Sequence, residues 1–178
     1  HVARRDLAAR AAEIVDASVE LAREHLDEVR LRHDAGRASE LEVMRADERT
    51  GAVGPSVHYR HEPDRLMNRG FVHQRRWART VPAPDPGEAE AASVDSVDGC
   101  FLLLRRAAFD AVGGLDERFF LYFEETDLCR RLHTAGWRVK VVPGARVWQE
   151  KQGVPGLYYY YYMSRNRYLF WRLHGGIG

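Results

Sequence analysis

The order of strand-like and helix-like segments between Val97 and Gln149 constrains the fold of this chain more than any other feature. The pattern predicts, in order, a buried strand in VDGCFLLLRR, a short glycine-closed helix in AAFDAVGG, an amphipathic helix in FEETDLCRRLHTAG and a strand in WRVKVVPGARVWQ that breaks at Pro143-Gly144. A further strand signal, GAVGPSVHYR, precedes them, and the aromatic, basic tail YYYYYMSRNRYLFWRLHGG predicts a last helix. Strands that alternate with helices indicate an α/β domain.

The first fifty residues have a different character. Small and apolar residues recur at spacings of four and three from Ala8 to Val29, which predicts a long helix with a coiled-coil-like seam. Ser39 followed by Glu42 reads as a capping box, which predicts a second, short helix through Ala46. Glycine, proline and β-branched residues begin at Gly51. We therefore predict a helical segment over residues 1–50 and an α/β domain over residues 51–178.

Composition excludes several classes of partner and location. The 27 lysines and arginines nearly balance the 26 acids, so no net charge points to nucleic acid. No run approaches the roughly 18 apolar residues that a membrane span needs, and the start of the chain lacks the apolar core of a signal peptide. Cys100 and Cys129 have no metal-ligand spacing, which favours reduced thiols. We expect a cytoplasmic protein that is at most peripheral to the inner membrane.

The order DGCFLLLRR, FDAVGGLDERFFLYFEETDLCRRLHTAGWRVKVVPGARVW and SRNR resembles the second, acceptor-side half of family 2 glycosyltransferases, especially rhamnosyltransferase-like bacterial members. The similarity covers about residues 51–176. It implies a partial GT-A domain of Rossmann-like α/β type. It also implies transfer of a sugar, with inversion, from a nucleotide-sugar to a cell-envelope polysaccharide or a lipid-linked acceptor.

Such a reaction needs a base for the acceptor hydroxyl, and the acids of FFLYFEETDL are candidates. By resemblance, Glu125 matches the general base, while Glu124 and Asp127 contact substrate, Asp127 alternatively serving as a structural cap. Crowded acids beside aromatic side chains can raise one pKa toward neutrality, which suits a base. An alternative remains from the residues alone, because acids at a helix N-terminus also complement the helix dipole.

Two further pairs are candidates for substrate binding by the same resemblance. Asp98 and Gly99 match a turn that lies against the sugar, where a side chain would block approach; an ordinary strand entry is the alternative. Arg165 and Asn166 match an Arg-Asn pair near the diphosphate, which a guanidinium binds in bidentate fashion. The alternative is that Arg165 belongs to the solvated edge of an aromatic helix.

The resemblance also implies a divalent cation, Mg²⁺ or Mn²⁺, but the sequence lacks the expected ligands. There is no Asp-x-Asp motif, since Asp95 and Asp98 are spaced one residue too widely. Gln149 stands where a histidine is usual, and its neutral oxygen is a poor substitute for imidazole. We therefore expect a chain that is incomplete on its donor side, with little activity alone.

The first fifty residues, by contrast, resemble a helical piece of TolC-type outer-membrane efflux proteins, on the stretch ELAREHLDEVRLRHDAGRASELEVMRADE. The alternatives are a generic coiled-coil segment and a chimera of two proteins. A non-catalytic fragment whose helix mediates oligomerisation is thus a second functional hypothesis. At the other end, the tyrosines from Tyr158 to Tyr162 either rest on a membrane surface or form core and rim.

Overall fold

The computed structural model describes residues 40–84, 91–150 and 155–175. The long helix predicted between Ala8 and Val29, and the TolC-like segment before residue 40, lie outside these residues. The described helices are α1 (Glu40–Ala46), α2 (Arg106–Ala111), α3 (Glu124–Thr134) and α4 (Leu157–His174). The strands are β1 (Thr50–Tyr59), β2 (Glu62–Asn68), β3 (Phe71–Gln74), β4 (Arg79–Pro82), β5 (Ala92–Ser93), β6 (Leu103–Leu104) and β7 (Arg138–Gln149), and short 3-10 turns cover Arg75–Trp77 and Glu117–Phe119.

The main sheet has five strands in the order β2-β1-β7-β5, with β6 pairing with β1 beside this path. Strands β1 and β7 run parallel, and the other pairs are antiparallel. Strands β3 and β4 form a separate two-stranded sheet. The described residues thus form a mixed α/β domain, as predicted.

The predicted break of the last strand at Pro143-Gly144 is wrong, because β7 continues through it as a bulge. Pairing with β1 runs to Val142 opposite Pro55 and resumes at Arg146 opposite Ser56. The extra residues of β7 therefore leave the ladder without ending it. The sequence of β7 alone could not predict this bulge, because it depends on the pairing with β1.

The predicted buried strand in VDGCFLLLRR is also wrong for most of its length. Only Leu103–Leu104 pair as a strand, and Cys100 is exposed. Asp98 Oδ1 accepts a hydrogen bond from the Cys100 backbone N–H at 3.1 Å, so the segment starts as a side-chain-closed turn. The apolar run FLLL is half-buried at the edge of β1 and not in the centre of the sheet.

The remaining predicted elements are confirmed. The strand from Gly51 is β1, and the three helices predicted after it are α2, α3 and α4. Helix α2 is followed by Gly113 and Gly114, both at φ +77°, and α3 by Gly136 at φ +85°, which are left-handed conformations that favour glycine. The short helix predicted through Ala46 is α1.

Helices cover both faces of the main sheet. On one face, Leu128 and Leu132 of α3 pack with Ala52, Val139 and Val141 of the two parallel strands. A second cluster packs α1 through Met44 against Val53 and Val142 on the other face. Helix α1, which the sequence pattern groups with the first fifty residues, therefore packs on the α/β domain. The proposed boundary at Gly51 stays a prediction.

A third cluster docks α4 on the segment that leads into α3. Phe170 and Trp171 of α4 pack with Phe119 and Phe123, all of them buried. The tyrosines of α4 are not core: Tyr158, Tyr160, Tyr161 and Tyr168 are more than half exposed. The structure therefore gives the aromatic tail both a buried anchor and an exposed surface.

Candidate active site

Glu125 lies in the first turn of α3, at the end of an unusual backbone segment. Three non-glycine residues before it, Phe120, Tyr122 and Phe123, have positive φ angles of 41°, 67° and 70°. Such conformations cost about 1–3 kcal/mol each and persist only where the surroundings hold them. We call residues 119–123 the entry segment. Its strain is stored next to the residue that the resemblance marks as the base.

Asn166 of α4 holds the entry segment in place. Its side chain is fully buried, and its Nδ2 lies 2.6, 2.7 and 2.8 Å from the carbonyl oxygens of Phe119, Leu121 and Tyr122. Arg165 Nη1 donates to Asn166 Oδ1 at 2.6 Å and to a further carbonyl, that of Arg118, at 2.9 Å. These contacts give the Arg-Asn pair a structural role, and its contact with a diphosphate stays a prediction.

The turn at Asp98 and Gly99 packs directly against Glu125. A Cβ placed on Gly99 would lie 3.3 Å from Glu125 Cγ and 3.5 Å from its Cβ and Cδ, so a side chain there would press on the carboxyl group. Asp98 Oδ2 accepts a hydrogen bond from Asn68 Nδ2 at 3.0 Å, which ties the turn to the end of β2. The structure therefore brings Asp98, Gly99 and Glu125 together, although they come from different elements.

The surroundings raise the pKa of Glu125 to about 7. Burial is the largest cause, the charge of Glu124 is the next, and Asp98 adds a smaller contribution, while a hydrogen bond from Thr126 Oγ1 at 3.1 Å opposes them. A carboxylate with a pKa near the working pH is well matched to accept a proton from a hydroxyl. Glu124 itself has a buried Oε2 with no hydrogen-bond partner among the described residues.

Asp127, by contrast, points into the protein. Its side chain is 1% exposed, its Oδ2 accepts from Arg131 Nε at 2.7 Å, and its Oδ1 contacts His174 Nε2 at 2.7 Å. Both oxygens are therefore engaged, and the contact with His174 ties α3 to the last turn of α4. The structural alternative given for Asp127 accounts for these contacts, and a role in substrate binding stays a prediction.

The residues that the structure describes do not fit a divalent cation. They contain no group of three or more His, Cys, Asp or Glu side chains that could hold a metal ion. Gln149, at the exposed end of β7, uses its backbone carbonyl to accept from Arg60. The divalent cation that the resemblance implies therefore has no matching donor set within residues 40–84, 91–150 and 155–175. We derive no chemical step through a metal.

Sequence reasoning missed Asn68, which fixes Asp98, and the role of Asn166 as a clamp on the entry segment. Asn68 lies 30 positions from Asp98, and no local pattern joins two such residues. The sequence analysis did identify Asn166 as part of the Arg-Asn pair, but the resemblance gave that pair a role in substrate binding. The signal that could have identified a structural role is an asparagine among aromatic residues of a helix. A buried amide there must form hydrogen bonds, and backbone carbonyl groups are its usual partners.

Comparisons with known proteins find similar bacterial rhamnosyltransferases. The N-acetylglucosaminyl-diphospho-decaprenol L-rhamnosyltransferase of Mycobacterium tuberculosis is 47% identical over 120 residues, which cover 58% of this chain and 38% of that protein. The rhamnosyltransferase WbbL of Escherichia coli is 46% identical over 50 residues, covering 28% of this chain and 19% of that protein. This chain thus spans well under half the length of the relatives it matches.

The family model for glycosyltransferase-like family 2 matches residues 39–159. The matched range includes β1, β7, the Asp98-Gly99 turn and the whole of α3. It covers more than half of the chain, and the similar proteins are rhamnosyltransferases. This chain belongs to the glycosyltransferase-like family 2.

Proposed function

We propose that this chain supplies the acceptor-side part of an inverting glycosyltransferase that moves a sugar from a nucleotide-sugar to a lipid-linked glycan of the cell envelope. The observation that carries the proposal is Glu125, whose pKa of about 7 and contact with the Gly99 turn suit a general base at a sugar site. The names of the similar proteins support the substrate class, since one acts on a diphospho-decaprenol. The donor-binding part is expected from outside the described residues.

In the proposed reaction, Glu125 accepts the proton of the acceptor hydroxyl. The hydroxyl oxygen then forms a bond to the anomeric carbon of the donor sugar, while the bond from that carbon to the diphosphate oxygen breaks. The electron pair of the broken bond leaves with the nucleoside diphosphate, and the configuration at the anomeric carbon inverts. Asp98 and Gly99 line the position of the sugar, and Arg165 and Asn166 act as positioning residues through the entry segment.

A hybrid protein tests the proposal. The part of this chain that matches the mycobacterial relative would replace its counterpart there, and rhamnosyl transfer to N-acetylglucosaminyl-diphospho-decaprenol would be measured. The proposal expects a folded, active hybrid, because the acceptor-side chemistry is contained in the exchanged part. A folded hybrid that binds donor and acceptor but transfers no sugar would contradict it, and would favour a non-catalytic fragment.

The pH dependence of the hybrid is a further prediction. A general base works only when deprotonated, and the pKa of Glu125 is about 7. Below that pH the deprotonated fraction falls tenfold per pH unit, so log(kcat/KM) should fall with a slope of about 1 on the acid side, with its bend near pH 7. Removing the charge of Glu124 with Glu124→Gln should move the bend to lower pH. A flat profile from pH 5 to 8 would exclude Glu125 as the titrating base.

We further propose that α4 rests on the cytoplasmic face of the inner membrane. Its exposed side chains combine tyrosines and Leu157, which is 88% exposed, with the arginines Arg165, Arg167 and Arg172. Helix Leu157–His174 contains no acidic residue. Such a helix suits the interface of an anionic bilayer, because the aromatic rings enter the headgroup region and the cations meet the lipid charge. No helix of the described residues is long and apolar enough to cross a membrane.

Sedimentation with lipid vesicles measures this contact. The chain should bind vesicles that contain phosphatidylglycerol more tightly than vesicles of phosphatidylcholine alone. The double change Tyr160→Ser and Tyr161→Ser should weaken binding about tenfold, which corresponds to about 1.4 kcal/mol of lost apolar burial. Tyr59→Ser, at the end of β1, is the matched control and should bind like the parent chain. Equal binding of all three proteins would disprove the proposed surface.

A further inference from the structure

A groove lies between α4 and the turn that joins β3 to β4. Its volume is about 350 Å³, which falls within the range of about 300–1,000 Å³ typical of small-molecule sites in proteins. The groove is lined by Ala78 of the turn and by Met163, Ser164, Arg167, Tyr168 and Trp171 of α4. None of these residues is a candidate for the active site, so the groove is distinct from the site around Glu125.

Trp171 is the buried member of this lining. It is 2% exposed, and His73 of β3 packs against its ring with the ring centroids 6.1 Å apart. Its Nε1 is buried and has no hydrogen-bond partner among the residues that the structure describes. Native proteins seldom leave a buried donor unsatisfied. An acceptor oxygen of a ligand in the groove would satisfy this N–H.

The charge around the groove is positive. Arg167 lines it, and Arg75 and Arg79 lie on either side of Ala78 in the turn, all three exposed. Residues 71–84 and helix α4 contain no aspartate or glutamate. A guanidinium group binds phosphate oxygens in bidentate fashion, and the hydroxyl groups of the lining are further donors. The complementary ligand is therefore an anion with phosphate oxygens.

The groove is also partly apolar and opens on the exposed surface of α4. Tyr168, which is 63% exposed, belongs both to the lining and to the exposed aromatic side chains of this helix. Ala78, Met163 and the indole ring of Trp171 give the groove apolar walls. A ligand that joins a phosphate to an apolar part fits these walls, whereas a free phosphate ion would leave them without a contact.

We propose that this groove binds the headgroup of an anionic membrane phospholipid, with the phosphate at Arg167 and the glycerol part against Met163 and Ala78. The inference rests on the proposed contact of α4 with the membrane and adds a defined site to it. Exposed tyrosines enter any bilayer interface, whereas the groove would select the lipid by its charge and shape. A bound headgroup would hold the turn and α4 to the same bilayer surface.

The test is a calorimetric titration of the chain with dihexanoylphosphatidylglycerol, a short-chain lipid kept below its micelle concentration so that no bilayer is present. We expect saturable binding, tighter than that of dihexanoylphosphatidylcholine, whose phosphate is paired with a cationic choline, and tighter than that of inorganic phosphate. Arg167→Gln should weaken the binding about tenfold or more, because a hydrogen bond from a charged group is lost. Arg167→Lys keeps the charge but loses the bidentate geometry, so a several-fold loss is expected.

Two control variants separate this site from general attraction to a membrane. Arg172→Gln removes the same charge from an exposed position of α4 outside the groove and should bind the soluble lipid like the parent. The double change Tyr160→Ser and Tyr161→Ser should also keep that binding, although it weakens binding to vesicles, because neither tyrosine lines the groove.

The inference would be overturned by the absence of saturable binding, by equal binding of inorganic phosphate, or by equal weakening in Arg167→Gln and Arg172→Gln. Binding of the soluble lipid by a chain that does not sediment with vesicles would keep the groove as a site and reject the membrane surface. Neither measurement depends on sugar transfer, so failure of the transferase proposal is detected separately, in the hybrid enzyme.

Discussion

Replacing Glu125 with glutamine should reduce sugar transfer by about 10²- to 10⁴-fold, the range expected when a general base is removed. Glutamine has nearly the same volume as glutamate and keeps the packing against Gly99, where an added Cβ would lie 3.3 Å from Glu125 Cγ. It cannot accept the proton of the hydroxyl group. The measurement is the initial rate of the hybrid enzyme with saturating donor and acceptor. The loss should fall on kcat, since substrate contacts of similar shape remain.

Two other Glu→Gln variants serve as controls for this result. Glu48→Gln removes the same charge at an exposed position outside the candidate site and should leave the rate unchanged. Glu124→Gln keeps the base in place and should lower the pKa of Glu125, because the charge of Glu124 is the second cause that raises it. A Glu125→Gln enzyme that keeps more than about a tenth of the parent rate would be inconsistent with general-base catalysis by this residue.

Asn166→Asp should lower the free energy of unfolding by about 3 kcal/mol or more. The change is nearly isosteric, but it replaces a donor by a negative oxygen that faces the carbonyls of Phe119, Leu121 and Tyr122. Unsatisfied buried groups cost about 1–3 kcal/mol each, and a buried charge costs more. Urea denaturation followed by tryptophan fluorescence measures the change. Since the entry segment leads into Glu125, transfer should fall as well.

Ser164→Ala, two residues earlier on an exposed part of α4, is the control for this change and should stay within about 0.5 kcal/mol of the parent. The clamp would be disproved by an Asn166→Asp protein within about 1 kcal/mol of the parent and with normal activity. A stable protein with reduced kcat and unchanged KM would instead assign Asn166 a purely positioning role on the catalytic segment.

The helices of this domain could be predicted from sequence because their signals are local. Leu128 and Leu132 are spaced four apart, and Gly136 can adopt the positive φ that ends α3, so neighbouring residues alone define this helix. The strand predictions were less successful, because the bounds of a strand depend on pairing with its partner strand. FLLL has the composition of a buried strand, but only Leu103–Leu104 find a place on β1, and Pro143 bulges instead of ending β7.

The candidate site divides in the same way. The sequence predicted that Glu125 and the Asp98-Gly99 turn belong to the active site, and the structure brings them into contact. It grouped Asp127 and Asn166 with the substrate ligands, whereas their side chains are buried and hydrogen-bonded within the protein. Residue type and order could not separate these cases, because an acid in contact with substrate and an acid between Arg131 and His174 look alike in sequence.

The sequence by itself therefore determined the α/β class, the helices α2 to α4 and the family, and it predicted that the base lies in FEETDL. Only the tertiary structure decided which acid is half-buried with a raised pKa and which amide clamps the entry segment. The physical reason is the range of the forces involved. Periodicity and turn propensity act over a few residues, whereas desolvation, charge and hydrogen bonding depend on groups that packing brings together from distant parts of the chain.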